Sequence, residues 1–409
     1  MDKKITAQTL KGFRDFLPKE AISRQYLINK IKSIFERFGF DPLETPALEY
    51  AETLLGKYGD EADKLLYLFE DRGKRKVGLR YDQTVPLARV IAQYQNLPKP
   101  FKRYQIQPVW RADNTQKGRF REFMQCDIDT VGVGGIYADA EIISCVLNIM
   151  ENLGFKKYSM RINDRRIFQL YNLSSKAAIA LDKTDKGPIA FIKQLMSEGK
   201  TNQEADELFN KIVNNPQPKE IKELFLLLKN INYKEGRNYD FWFDPTLIRG
   251  LDYYTSFVFE LRIEDYGVLS VGGGGRYDKL IGQFTSQDAP AVGFAFGFDR
   301  LLEAMKLLNL LPNEITSTKI LVTVFSDDLL KKSISIANEL RNNNINTDIN
   351  LDTDLRLDKQ LKYANKKGIP YVIIIGPEEV KNNVVKLKDM KTGEQITLTT
   401  KELINKLCK

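Results

Sequence analysis

The chain of 409 residues contains no histidine. This absence excludes a Ser-His-Asp triad, a Cys-His pair and imidazole metal ligands. Catalysis would therefore rest on positioning and charge, or on carboxylate, Tyr, Lys or Cys chemistry. A composition rich in Lys, Ile and Asn explains the absence equally well, so it constrains the mechanism without naming one.

Cysteines and long apolar segments are also scarce. Cys126, Cys145 and Cys408 are far apart and form no CxxC pair, which argues for a reducing compartment and against zinc or a disulfide framework. The N-terminus lacks the apolar core of a signal peptide. No apolar run approaches the ~18 residues of a membrane span. We therefore expect a cytoplasmic protein with no membrane partner.

Length and periodicity predict the domain organisation. A chain of 47.0 kDa with a net charge of +8 should hold several domains, and its charge permits a polyanionic partner. Residues 309–319 read as a linker, after which strands alternate with helices. We predict an α/β fold with two domains. The first is an antiparallel-sheet domain over 1–318 with a helical insertion at about 165–240, and the second is a small α/β domain over 319–409.

Residues 101–129 predict two strands joined by a basic loop. Strand side chains alternate with period 2, which puts the polar ones on one face. They are Arg103, Gln105, Gln107 and Arg111 on the first strand and Gln125, Asp127 and Asp129 on the second. A sheet with an apolar face packed against the core and a polar face exposed to water would suit a small ligand with anionic and cationic parts. The alternative is an ordinary solvated face of a hairpin.

Two further segments have both a structural and a functional interpretation. The run Gly272–Gly275 is not a Walker loop, because no GK[ST] follows it. It is either a tight strand end where no side chain fits, or a floor that lets a planar ligand approach the backbone. Arg300 begins an apolar helix, and a buried arginine without a partner is rare, so it is a candidate anion contact.

Several segments in order resemble histidyl-tRNA synthetases, a family of class II aminoacyl-tRNA synthetases. LKGFRDFLP (10–18) resembles the N-terminal signature of the family. FGFDPLETPALE (38–49), the hairpin at 101–129 and AVGFAFGFDRLL (291–302) resemble motifs 1, 2 and 3. LIRGLDYYTSFVFE (247–260) and GGGGRYD (272–278) are similar to its two histidine-specific peptides. The resemblance covers essentially the whole chain and implies a C-terminal anticodon-binding domain and a homodimer built through motif 1.

The resemblance also implies the reaction. Histidine and ATP form histidyl-adenylate and pyrophosphate, with Mg²⁺, and the histidyl group then moves to tRNA(His). Two anions must meet in the first step, so cations must stabilise the growing phosphoryl charge. By resemblance Arg111 contacts the α-phosphate, Arg300 the γ-phosphate, and Arg249 the histidine carboxylate and α-phosphate. The attacking carboxylate is already ionised, so no protein base is needed. No residue of the chain is assigned as a metal ligand.

The histidine pocket is assigned on the same basis. Asp82, Thr84 and Gln125 match contacts to the α-ammonium. Asp129 and Tyr254 match residues that hydrogen-bond the imidazole nitrogens, and Tyr253 lines the same wall. Taken without the resemblance, Asp82 would cap the helix that follows it and Tyr254 would belong to the core.

The chain departs from the commonest bacterial pattern of the family. It has RYDQT in place of RPEGT, Asp129 in place of Glu, and RADNTQ in place of an RHERPQ-like loop. These features look more like the eukaryotic form. The altered loop faces the tRNA acceptor end in this class, so dependence on an extra 5′ guanosine does not carry over from the resemblance.

Two other functions share this pattern of motifs. One is a catalytically inactive paralogue that regulates histidine biosynthesis, and the other is an RNA-binding or signalling module on the synthetase fold. Arg111, Arg249 and Arg300 are all present, which argues against both. Histidine-dependent exchange between ATP and pyrophosphate would separate the three.

Overall fold

A computed structural model describes residues 5–59, 63–115, 118–182, 184, 187–231, 240–249, 253–267, 269–313 and 316–408. The chain forms two compact units. One contains the chain up to Asp15 and from Leu27 to Leu311, and the other contains Phe16–Tyr26 and the chain from Pro312 onward. The described part contains no helix long and apolar enough to cross a bilayer.

The first half of the chain begins with a long helix and then builds two sheets. Its elements are α1 (Pro18–Arg37), β1 (Asp41–Pro42), β2 (Leu48–Tyr50), α2 (Ala51–Leu54), β3 (Leu68–Glu70), β4 (Lys76–Leu79), α3 (Thr84–Gln93), β5 (Phe101–Trp110), β6 (Glu122–Val131), α4 (Ile136–Asn152) and β7 (Tyr158–Asp164). Pro18 lies in the first turn of α1, where the backbone N–H that proline lacks would have no partner within the helix. Glu20 in the first turn and Arg37 in the last turn complement the helix dipole. The sequence predicts both α1 and α3, because Pro18 opens an amphipathic segment and Pro86 lies in the first turn after Thr84, and the structure confirms both helices.

The predicted helical insertion is present. Its helices are α5 (Arg166–Leu170), α6 (Ser175–Leu181), α7 (Ile189–Ser197), α8 (Asn202–Val213) and α9 (Lys219–Ile231). Ser174 caps α6, and Thr201 forms a capping box at the start of α8. The insertion has its own apolar core around Leu181, Phe191 and Ile212.

The chain then returns to the large sheet. The elements are β8 (Asp240–Phe243), β9 (Phe257–Ile263), β10 (Ser270–Arg276), β11 (Ala291–Gly297) and α10 (Phe298–Leu307). The sequence predicts that strands return at 241–261, and two strands lie there, with a break between them after Phe243. Asp244 then makes a turn by accepting from the Thr246 backbone, and its side chain pairs with Arg161.

The large sheet has eight strands in the order β1-β5-β6-β11-β10-β9-β7-β8. Along this order, every neighbouring pair between β5 and β7 is antiparallel. The pairs at the two edges, β1 with β5 and β7 with β8, are parallel. The back of β6 is apolar, with Cys126 and Ile128 fully buried. Strands β2, β4 and β3 form a separate small antiparallel sheet. The predicted antiparallel sheet domain is confirmed.

The C-terminal unit has the predicted alternation. Its elements after residue 319 are β12 (Ile320–Val322), α11 (Asp327–Asn342), β13 (Thr347–Ile349), α12 (Leu357–Lys367), β14 (Tyr371–Ile374), α13 (Pro377–Lys381), β15 (Val385–Asp389), β16 (Gln395–Leu398) and α14 (Thr400–Leu407). The strand order is β13-β12-β14-β15-β16, parallel over the first three and antiparallel in the last pairs. The α/β fold class is confirmed.

Candidate active site

The polar side chains of β5 and β6 lie on one face of the large sheet, at opposed register positions. The pairs are Arg103 with Asp129, Gln105 with Asp127, and Gln107 with Gln125. Strand β11 continues this face on the other side of β6 with small residues. Gly293, Ala295 and Gly297 lie opposite the three β6 positions. Short side chains on β11 leave space above the carboxylates of β6.

This face is less wet than the sequence suggested. Arg103 and Gln105 are fully buried, so the expectation of a solvated front is wrong for both. Chain segments before β2 and α3 cover them. Gln105 Nε2 donates to Thr45 Oγ1 at 2.8 Å, and Arg103 Nη2 donates to the Gln83 carbonyl at 3.1 Å. A buried arginine needs such partners, and its charge needs an anion.

Asp129 supplies that anion. Arg103 Nη2 lies 2.8 Å from Asp129 Oδ2, and the Tyr277 hydroxyl donates to Asp129 Oδ1. Burial raises the pKa of Asp129 and Arg103 opposes the rise. The Arg103 contact lacks hydrogen-bond geometry, so Oδ2 has no hydrogen-bond donor among the described residues. Asp129 is thus fixed in place while one oxygen still has acceptor capacity.

The glycines of β10 allow close contacts on both faces of the sheet. A Cβ at Gly272 would lie 2.7 Å from Phe294 Cζ on the packed face. On the polar face, a Cβ at Gly273 would lie 2.5 Å from Arg249 Nη1, and one at Gly275 would lie 2.9 Å from Tyr254 Cδ1. The interpretation that no side chain fits there is therefore confirmed on both faces: alternate glycines permit close packing behind and the approach of Arg249 and Tyr254 in front. The floor for a planar ligand stays a prediction.

Arg249 is held at this position by the helical insertion. The preceding residue, Ile248, packs its side chain into the insertion core, and its backbone N–H donates to Asp182 Oδ1 at 2.8 Å. Arg249 Nη1 lies 3.5 Å from Glu260 Oε2, a loose contact. Burial opposes the charge on Arg249, but Tyr254 and then Glu260 outweigh it and raise its pKa. Residues 250–252, which continue this peptide, lie outside the described part of the chain.

The Gly273 contact gives a first prediction. In Gly273→Ala the new methyl group displaces the Arg249 guanidinium. On the role that the resemblance implies for Arg249, we expect the rate of ATP–pyrophosphate exchange to fall roughly 10-fold while the fold persists. Gly134→Ala is a matched control, because a Cβ there meets only Pro290 Cγ at 3.9 Å. Equal exchange rates in the two variants would show that Arg249 tolerates displacement.

Arg111 begins the loop after β5. Its Nε donates to the Tyr81 carbonyl at 3.1 Å, and its guanidinium lies 4.1 Å from the Tyr81 ring centroid and 5.1 Å from that of Phe123. Within the described part of the chain no carboxylate lies within 4.0 Å of Arg111. An arginine held by rings and a carbonyl keeps most of its donors available for an anion.

Arg300, in the first turn of α10, faces other cations. Its Nη1 donates to the Ser270 carbonyl at 3.0 Å. Burial lowers the pKa of Arg300, and the positive charges of Arg119, Arg249 and Arg111 lower it further. Like charges gathered in one place favour the binding of an anion, so we call Arg111, Arg119, Arg249 and Arg300 the candidate anion site.

Asp82 lies at the centre of a group of tyrosines. Its Oδ1 accepts from the Tyr58 hydroxyl at 3.1 Å and from the backbone N–H of Thr84 and Val85 at 3.1 and 3.0 Å. Its Oδ2 accepts from the Tyr253 hydroxyl at 3.1 Å. Burial raises the pKa of Asp82. The capping role is therefore real and occupies Oδ1. It does not exclude ligand binding, because among the described residues Oδ2 accepts only from Tyr253 and can accept from a second donor.

Two other acceptors on this face have no donor. Gln125 Oε1 and Asp127 Oδ1 are buried, and neither has a hydrogen-bond partner among the described residues. Burial raises the pKa of Asp127 well above its ordinary value, against the pull of Arg103. Buried acceptors are normally satisfied, and a ligand ammonium with its three donors would satisfy these.

Tyr253 and Tyr254 occupy different environments. Tyr253 is buried, and its ring packs edge-on against Tyr254 and Tyr277. Tyr254 is half-buried and lies over Gly275, so it is not simply a core residue. Burial raises the pKa of Tyr254 to about 12, which keeps its hydroxyl a donor at neutral pH. The pair forms one wall beside Asp82.

Some residues of this site were missed in the sequence. Tyr58 reaches Asp82, Tyr277 reaches Asp129, and Arg119 acts on Arg300. Tyr277 lies within GGGGRYD and Arg119 within the basic loop, so both were in segments already singled out. Arg119 also lines a cleft of about 490 Å³ with Leu65, Ala112, Asp113, Asn114 and Thr115. Residues 116–117 of that loop lie outside the described part.

The described part of the chain contains no group of three His, Cys, Asp or Glu side chains that could hold a metal ion. The carboxylates of the site are engaged instead with arginine, tyrosine and backbone donors.

Known proteins resemble this chain in sequence and in fold. Residues 12–301 match the family described as Histidyl-tRNA synthetase, and residues 319–409 match the family described as Anticodon binding domain. A histidine–tRNA ligase from Wolinella succinogenes is 38% identical over 96% of this chain and 95% of its own. One from Cytophaga hutchinsonii is 37% identical over 97% and 98%. The crystal structure of a histidyl-tRNA synthetase from a Nostoc species aligns over 99% of both chains with a TM-score of 0.83 and 28% identity.

Proposed function

The chain belongs to the histidyl-tRNA synthetase family, and on that premise we propose which of its residues carry the ATP-dependent attachment of histidine to tRNA. The observation that supports the assignment most strongly is the gathering of four arginines beside a buried acidic pocket. A group of positive charges suits the phosphates of ATP, and the acidic pocket suits an amino acid with a cationic ammonium group.

The pocket binds histidine at both ends of the amino acid. The ammonium group donates to Asp82 and to the unsatisfied oxygen of Gln125, with Thr84 beside them. The imidazole ring donates to Asp129 and meets the Tyr254 hydroxyl at its other nitrogen, and Tyr253 lines the wall. A pocket built to satisfy two ring nitrogens rejects a ring without them by about 10⁴-fold, because its buried polar groups would be left unpaired.

The first step needs no proton transfer from the protein. The histidine carboxylate attacks the α-phosphorus of ATP, a new C–O–P bond forms, and the bond to the bridging oxygen breaks. The electron pair leaves with pyrophosphate. Arg111 and Arg249 neutralise charge at the α-phosphate and Arg300 at the departing pyrophosphate. Planar guanidinium groups suit these positions because each binds two oxygens and remains charged.

Mg²⁺ enters this proposal as the companion of substrate ATP. Magnesium at nucleotide sites is bound largely by phosphate oxygens and water, with one or two carboxylates. The described residues do not form a metal site of their own, and no step above depends on the ion.

The C-terminal domain is assigned to tRNA. Residues 319–409 match an anticodon-binding family, so we assign them to the anticodon of tRNA(His), and residues 1–318 to catalysis. We also propose a cytoplasmic homodimer built through the segment 38–49. Light scattering after size exclusion should give twice the 47.0 kDa of one chain. A monomer at micromolar concentration would contradict the dimer.

The experiment that tests the function is exchange of pyrophosphate into ATP, followed by charging of tRNA(His). We expect exchange that requires histidine and is not supported by other amino acids, and transfer of labelled histidine to tRNA. An inactive regulatory paralogue or an RNA-binding module would show no exchange. Absence of exchange in the folded chain would therefore overturn the proposed function.

A further inference from the structure

The N-terminal segment Gly12–Arg14 contacts the two elements that present arginines to the anion site. Its first contact is through the backbone. The Gly12 carbonyl accepts from the Arg121 N–H at 2.9 Å, and the Arg121 carbonyl accepts from the Arg111 N–H at 2.9 Å. A continuous pair of backbone hydrogen bonds thus joins Gly12 to Arg111 across the base of the basic loop.

Gly12 fits this position because of its conformation and its surroundings. Its φ of +91° lies in the region that favours glycine. A Cβ there would lie 2.8 Å from Thr115 Cγ2 and 2.8 Å from Arg121 Cγ, both in the loop between β5 and β6. The segment therefore packs directly against the loop, with no side chain between them.

Arg14 makes the second contact and extends it to α10. Its guanidinium lies 3.2 Å from the centroid of the Phe120 ring. Its Nη2 donates to Asp299 Oδ1 at 2.9 Å, and Asp299 Oδ2 accepts from the Met124 backbone at 3.4 Å. Arg14 is half-buried and Asp299 mostly buried, so this contact is sheltered from solvent more than a surface ion pair is.

Each residue that this segment contacts is connected to an arginine of the anion site, either as its neighbour in sequence or through a backbone hydrogen bond. Phe120 follows Arg119, Asp299 precedes Arg300, and the Arg121 backbone is bonded to Arg111. These arginines come from a loop and a helix that are far apart in the chain. A single segment that contacts both fixes the spacing between them.

We propose that Gly12–Arg14 is a brace for the ATP site and that Arg14 is a positioning residue, which sets the distance between the arginines of the loop and Arg300. This inference rests on the proposed function, because it assumes that these arginines bind the phosphates of ATP. Arg14 itself does not touch the substrate. Its effect on the reaction passes through Phe120 and Asp299.

If Gly12–Arg14 braces the ATP site, a change in this segment should alter KM for ATP and leave KM for histidine nearly unchanged. The histidine pocket is built from Asp82, Asp129 and Tyr254, none of which contacts Gly12–Arg14. In Arg14→Ala we expect KM for ATP in the exchange reaction to rise about 10-fold or more, with KM for histidine within about 2-fold of the original, since small misplacements of charged groups are costly. Arg14→Lys keeps the charge opposite Asp299 and loses the flat stacking on Phe120, so it should be intermediate.

The controls separate this proposal from a general loss of stability. Arg75→Ala removes an exposed arginine that pairs with Asp71 at 2.6 Å, and it should leave both KM values unchanged. If Arg14→Ala does not fold, Phe120→Leu, which removes only the stacking partner, is measured in its place.

The outcomes are distinct. A rise in KM confined to ATP supports the brace. Unchanged KM for ATP, or an equal rise for both substrates, would overturn it. Absence of exchange in the unmodified chain would instead refute the function on which the brace depends.

Discussion

Arg249→Ala is expected to slow histidyl-adenylate formation about 10²–10³-fold, because it removes one preorganised cation from a site where negative charge develops. Arg249 lies against Gly273 and is held only loosely by Glu260, at 3.5 Å. It can therefore turn toward the carboxylate and phosphate of the reactants without breaking a strong ion pair. Pre-steady-state quench measurements of adenylate give the rate directly.

The matched control is Arg262→Ala. Arg262 Nε donates to the same carboxylate, at Glu260 Oε1 and 2.8 Å, but Arg262 is not among the residues assigned to the site. Both variants remove a partner of Glu260, so a stability loss from that carboxylate should appear in both. A slow step seen only in Arg249→Ala would assign the effect to the site. An unchanged rate in Arg249→Ala would remove Arg249 from the mechanism.

Binding of tRNA should be nearly unaffected in Arg249→Ala. The side chain is mostly buried beside β10, so it adds little to any surface that a polyanion could reach. Filter binding at fixed ionic strength is the measurement, because phosphate contacts make such affinities depend on salt. A large loss of tRNA affinity would indicate that Arg249 acts outside the adenylate step.

The polar face of the sheet could be predicted because strand alternation is a local property. Gln125, Asp127 and Asp129 were placed on one side from their spacing alone, and the register of β6 against β5 and β11 puts them there. The helices that begin at Pro18 and Thr84 have start signals within a few residues. Local chemistry was sufficient in both cases.

The contacts that complete the pocket depend on residues far apart in the chain. Tyr253 and Asp82 are 171 positions apart, and Tyr277 and Asp129 are 148 apart. No spacing rule predicts that these side chains meet, because the strand order of the sheet brings them together. The same holds for Arg103, which the pattern placed on a wet face and which the covering segments at Thr45 and Gln83 bury completely.

The burial of Arg103 changes the expected behaviour of Asp129 variants. Asp129 has to balance a buried guanidinium as well as contact a ligand, so removing its charge also takes away the ion-pair partner of Arg103. A variant of Asp129 therefore changes stability and recognition together. Thermal unfolding has to be measured alongside the kinetics for the two effects to be separated.

Asp129→Asn should weaken the use of histidine far more than the use of ATP. A carboxylate only accepts from a ring N–H, whereas an amide also donates. The variant pocket would therefore select less strictly for a ring nitrogen that carries a proton at this position. Loss of a charged hydrogen-bond partner at a buried site costs on the order of 1.5–3 kcal/mol, or about 10- to 150-fold in kcat/KM for histidine. Steady-state exchange with histidine and ATP varied separately measures both values.

Tyr277→Phe is the matched variant for this prediction. It removes the hydroxyl that donates to Asp129 Oδ1 but keeps the carboxylate, its charge and its contact with Arg103. If Asp129 recognises the ring, Tyr277→Phe should retain most of the histidine specificity that Asp129→Asn loses, because the acceptor oxygen Oδ2 is unchanged. Equal losses for histidine and ATP in Asp129→Asn, together with a lowered Tm, would mean instead that Asp129 serves to neutralise Arg103 and does not contact the substrate.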